Sequence, residues 1–166
     1  MKSNQTNSRI LYIVLSVLFI ISAIFNDFIG IAGIHPDILL IILFFLAFNE
    51  KPVMVIIAAF VFGFLQDIFL PGSVQYWGLS PLFKTLIIYI LLKLLPFIQR
   101  FKGFVFYMSL FTVMLVYYVF YNLLYYSGYV KPFIILYRYA VPETLYTFLL
   151  LLIINVIFPI HNKNGR

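Results

Sequence analysis

Asp67 lies inside an apolar run, Val53 to Leu70, that is long enough to cross a bilayer. A carboxylate at that depth needs a cation, a water-filled space or an interface with another helix. The cation nearest in sequence on the following apolar segment is Lys84, in the stretch GFLQDIFLPGSVQYWGLSPLFK from Gly63 to Lys84. Asp67 stands three residues before the end of its segment and Lys84 three after the start of the next. Antiparallel neighbours would therefore hold both about 4–5 Å inside the helix ends. They could form an ion pair at that depth, or each could snorkel separately to water. Ala59 and Gly63 precede Asp67 at helical spacing, giving a small, small, acidic face. Such a face suits close packing within the bundle, or the docking of another protein's helix. On these grounds Asp67→Ala is expected to disturb assembly more than Asp27→Ala.

Other polar residues at membrane depth have plainer readings. Tyr117, Tyr118, Tyr121, Asn122 and Tyr125 fall on one broad side of a later segment. Their hydroxyls need partners in lipid, so that side should face inward or towards a partner. Glu143 follows Pro142 and reads as an acid at the start of a helix, stabilised by the helix dipole. Asn155 is placed to bond a neighbouring helix.

Signals of catalysis are missing from the sequence. His35 and His161 are expected at opposite faces of a membrane and cannot share a metal or a proton relay. No HExxH, phosphate-cradling glycine loop or GxSxG occurs, and no two intramembrane carboxylates read as an acid and base couple. The sequence thus points to a protein that is not an enzyme and carries no cofactor or metal.

Composition defines the elements that must position these groups. Of 166 residues, 64% are hydrophobic and 10% charged, and the mean hydropathy is +1.09. Too little polar surface exists to cover a water-soluble core, so an all-α, polytopic membrane bundle in one domain, 1–166, is expected. The twenty Phe and thirteen Tyr suit lipid-facing and interfacial positions. The net charge of +6 comes from eleven Lys and Arg scattered singly, which fits membrane topology and not nucleic-acid binding. No cysteine is present, which removes disulfides and thiolate sites.

Six spans are expected, over about 10–25, 35–48, 53–70, 81–96, 104–126 and 142–160. The first reads as an uncleaved span, because it is long for a signal peptide and lacks a small-x-small cleavage site. Phe28 to Ile34 reads as an interfacial or re-entrant link. In the second span, Pro36 suits the first helical turn and Asp37 its dipole. That span is short for a full crossing, so the pair 35–48 and 53–70 could also form a re-entrant hairpin. Tyr76 and Trp77, in the loop after Pro71, belong at headgroup level. Phe133 to Ala140 is too short to cross and is expected to lie in the interface.

Charge bias orients the chain. With the N-terminus inside, Lys2, Arg9, Lys51, Lys93, Arg100, Lys102, Lys163 and Arg166 are cytoplasmic, against Lys84, Lys131 and Arg138 outside. Eight against three places both termini in the cytoplasm. Asp27, Asp37, Asp67 and Glu143 then fall near outward-facing ends, so any polar site should lie in the outer half.

From His35 to about Lys93 the chain resembles the bacterial rod-shape-determining membrane protein family MreD. The matching text is HPDILLIILFFLAF, a turn with Lys51 and Pro52, then VFGFLQDIFLPGS. Pro36 and Asp37 open a leucine-rich span, Gly63-x-x-x-Asp67 closes the next, and Gly72 and Gly78 represent the family's glycine-containing loop. The loop between Asp67 and Gly78 is a few residues longer than usual, and Tyr76 and Trp77 depart from the pattern. The resemblance implies a scaffold of the lateral cell-wall elongation machinery in the bacterial cytoplasmic membrane. Its implied partners are the bitopic protein MreC, the glycosyltransferase RodA with its class B penicillin-binding transpeptidase, and the MreB filament. It also implies a fold similar to the six-helix substrate-binding subunits of energy-coupling-factor transporters, so a small-molecule-binding transporter subunit is the alternative reading.

Overall fold

The computed structural model describes residues 34–69, 78–126, 130–157 and 159. The expected first span, Asp27, residues 28–33 of the link after it, and Gly72, Tyr76 and Trp77 lie outside these residues. Within them the regular structure is helical, with no strand. The helices are α1 (Ile38–Asn49), α2 (Pro52–Phe69), α3 (Leu79–Ile98), α4 (Phe104–Tyr125) and α5 (Pro132–Ile157). Three of them, α3, α4 and α5, are long and apolar enough to cross a membrane.

The short α1 is the centre of the bundle. Its residues Ile38–Phe45, Ala47 and Phe48 are all buried, so it is covered on every side. A helix that is apolar all round belongs in an interior, and α1 packs against α2, α3 and α5. At 12 residues it extends about 18 Å, well short of a hydrocarbon core of about 30 Å. Its shortness is compatible with this position, because protein covers it and few of its atoms face lipid.

The longer helices are apolar on the outside. Val53, Ile57, Phe60 and Phe64 of α2, Leu82 and Leu86 of α3, and Leu149 and Ile153 of α5 are exposed. A water-soluble bundle would place polar residues on those faces, whereas a lipid-facing one has no need to.

Two findings revise the reading of α5. Phe133 to Ala140 is not a separate interfacial piece, because the helix runs without a break from Pro132 to Ile157. Pro142 inside it is accommodated by a π-helical turn over Leu136–Ala140, in which the Val141 N–H bonds the Leu136 carbonyl. Proline has no N–H to close the usual bond to the fourth residue back, and the wider turn takes up the mismatch. Glu143 accordingly lies well inside a helix and not at its start, so the dipole-capping role does not apply.

Candidate functional site: a buried polar junction

Among the described residues, the acids expected in the outer half, Asp37, Asp67 and Glu143, gather at one end of the bundle. Asp37 is their hub. It precedes α1 as the N-cap, and its Oδ1 accepts the Leu40 N–H at 2.8 Å. Pro36 lies outside the helix, just before the cap, and is buried. The cap leaves Oδ2 available, and that atom pairs with the Lys84 ammonium from α3 and accepts the Tyr117 hydroxyl from α4 at 3.3 Å. The Asp37 N–H donates to Thr147 Oγ1 of α5 at 3.1 Å, and Thr147 shares a 2.6 Å hydrogen bond with the Tyr118 hydroxyl. One residue therefore ties α1 to α3, α4 and α5.

Lys84 is the feature that makes the junction costly to disturb. Its side chain is 0% exposed and that of Asp37 8% exposed. An ammonium in such a place is tolerable only when paired and hydrogen-bonded. Neither an ion pair with Asp67 nor separate snorkelling describes Lys84: its direct partner is Asp37. The reason is α1, whose N-cap reaches Lys84 while the Asp67 carboxylate is engaged with the Gly78 N–H at the entry to α3. Asp67 remains near enough to add electrostatic attraction at Lys84. The Tyr117 ring also lies 5.6 Å from the ammonium, within cation–π range.

Asp67 has a different task. It is buried, and its Oδ2 accepts the Gly78 N–H at 2.8 Å. Gly78 has φ +96°, a left-handed conformation that L side chains rarely adopt, and it leads directly into α3. The carboxylate at the end of α2 thus fixes the entry to α3. Lower down the same face, a Cβ on Gly63 would lie 2.3 Å from Pro81 Cα and 2.7 Å from the Ser80 carbonyl carbon. The α2 and α3 backbones come together there, with Ala59 also fully buried. The structure places the Ala59, Gly63 and Asp67 face against α3 and not on the outside, where a partner's helix would need it.

The tyrosine side of α4 is partly inward. Tyr117, Tyr118 and Asn122 are buried. Tyr121 shares a 3.2 Å hydrogen bond with Ser80, and Tyr117, Tyr121 and Tyr125 stack at 5.6 and 5.9 Å between ring centres. Asn122 donates to Glu143 Oε2 at 2.7 Å, which gives that carboxylate a partner within the bundle. Asn155 donates to the Tyr107 hydroxyl at 2.9 Å, a bond between neighbouring helices as its position suggested.

The residues that sequence reasoning missed are Thr147, Ser80 and the capping role of Asp37. Thr and Ser give little signal in an apolar segment. Asp37 followed by an unbroken apolar helix did carry the N-cap signature. Chemically, the arrangement is a clasp. Asp37 and Asp67 hold the ends of the helices, and Lys84 neutralises Asp37 directly and attracts Asp67 from farther off. Compared with models of protein families, with curated proteins and with solved structures, the chain matches none.

Proposed function

We propose that the protein is a non-enzymatic scaffold of the cell-wall elongation complex, a six-span protein of the bacterial cytoplasmic membrane with both termini inside. It binds MreC and helps to position RodA, its transpeptidase and the MreB filament so that the cell keeps its rod shape. The observation that carries this reading is the convergence of three MreD-like residues with Lys84. Asp37, Asp67, Gly78 and Lys84 meet in one junction whose polar groups are engaged with each other. A motif spent on holding helices together suits a rigid platform, and the apolar outer faces are left for lipid and partner helices. Depletion in a rod-shaped host should round the cells. Normal rods after depletion would remove the reading.

The second reading, a small-molecule-binding transporter subunit, is favoured by the gathering of polar groups at one end of the bundle. Tight binding of a vitamin-sized solute to the purified protein, with recruitment of an energising ATPase, would support it.

A further inference from the structure

At the other end of the bundle, a cleft of about 260 Å³ opens between α1 and α2, lined by Leu46, Glu50, Met54, Val55 and Ala58. Its walls are almost wholly apolar, and it is larger than the roughly 150 Å³ apolar cavity that takes up benzene. It lies beside the polar turn from Asn49 to Pro52, where the chain leaves one apolar helix and enters the next. That is where a lipid headgroup would meet the protein. Glu50, which lines the cleft, and Lys51, the next residue in the chain, are both exposed on this turn, so opposite charges stand side by side at the membrane surface.

We propose that this cleft is a binding site for one aminophospholipid such as phosphatidylethanolamine. An acyl chain fills the space between Leu46, Val55 and Ala58, and removes from the interface a void that would otherwise forfeit dispersion contacts. The phosphate lies by the Lys51 ammonium, and the lipid ammonium donates to Glu50. A carboxylate accepts several donors, so this bond adds to whatever Glu50 already engages. Charge complementarity selects the occupant. An anionic lipid would satisfy Lys51 but set its charge against Glu50, and a choline headgroup cannot donate a hydrogen bond. A partner helix would have to present a cation and an anion side by side at the membrane surface.

Native mass spectrometry of the full chain, released from nanodiscs of phosphatidylethanolamine, phosphatidylglycerol or phosphatidylcholine, tests this. One retained lipid is expected from the ethanolamine bilayer, with about fivefold less retention from the other two. Ala58→Phe should abolish retention by filling the cleft. Glu50→Gln, on an exposed turn that folding tolerates, should reduce the ethanolamine preference about fivefold, the scale of one exposed ion pair. No retained lipid, retention without headgroup preference, or preference unchanged in folded Glu50→Gln would each overturn the proposal.

Discussion

Asp37 and Asp67 share a membrane end and a charge but differ in what depends on them. Removing the Asp37 carboxylate leaves the fully buried Lys84 without its direct partner. Asp37→Ala is therefore expected to cost about 3–5 kcal/mol, the scale for breaking a buried ion pair from one side. Replacing both members, as Asp37→Asn with Lys84→Met, should recover most of that loss, because no charge is then stranded. Asp67→Ala removes an acceptor from one backbone N–H and should cost about 1–3 kcal/mol. Unfolding in detergent measures all three, and equal losses for the two single variants would refute the hub role of Asp37. Gly63→Leu should be more damaging than Gly103→Ala. The first forces a side chain into the Pro81 backbone, whereas Gly103 has a φ of +59° and open space around it. With ψ at −132° this is a backbone that side chains seldom adopt, so the substitution costs about 1–3 kcal/mol but no repacking. Much of this was legible in the sequence: the Ala59, Gly63 and Asp67 spacing and the turn glycines follow from local geometry. Which acid Lys84 meets was not, because both carboxylates lie at the same end of the bundle. Only the placement of the α1 N-cap against α3 decides between them.

At the scale of the helix, α5 shows where local signals mislead. Pro142 followed by Glu143 reads as a helix start, since proline and an acid both favour the first turn. The π turn over Leu136–Ala140 instead carries the helix through. A π turn holds one residue more than an α-helix needs over the same path. Deleting Tyr137, exposed and within that turn, should remove the extra residue while Glu143 and Thr147 keep their partners, at a cost of about 3 kcal/mol for Pro142 in a regular helix. Deleting Leu149 from the regular part of the helix has no such reserve and should rotate everything after it out of register. Size-exclusion profiles and thermal unfolding of the two deletions make the comparison. Similar loss in both would argue against the π turn as an inserted residue. The other helix ends were readable to within a few residues, because Gly78, Gly103 and the polar turn at Asn49 to Pro52 interrupt the apolar runs.

For the whole molecule, composition alone indicated helices that face lipid, and the exposed apolar faces of α2 to α5 agree with it. It did not reveal that α1 is enclosed by protein, because a buried helix and a spanning helix are both apolar all round. The proposed topology is open to direct test, since the chain has no cysteine of its own. Asn49→Cys should be labelled only from the cytoplasmic side and Gln75→Cys only from outside. Labelling of both from one side would make 35–48 and 53–70 a re-entrant hairpin. The scaffold role is the central claim, and its most direct test is co-purification of MreC with the tagged full chain from membranes of a rod-shaped host. Retention of MreC by the folded protein, reduced when Asp37→Ala loosens the clasp, is the predicted result. A folded, monodisperse wild-type protein that retains no MreC would contradict it.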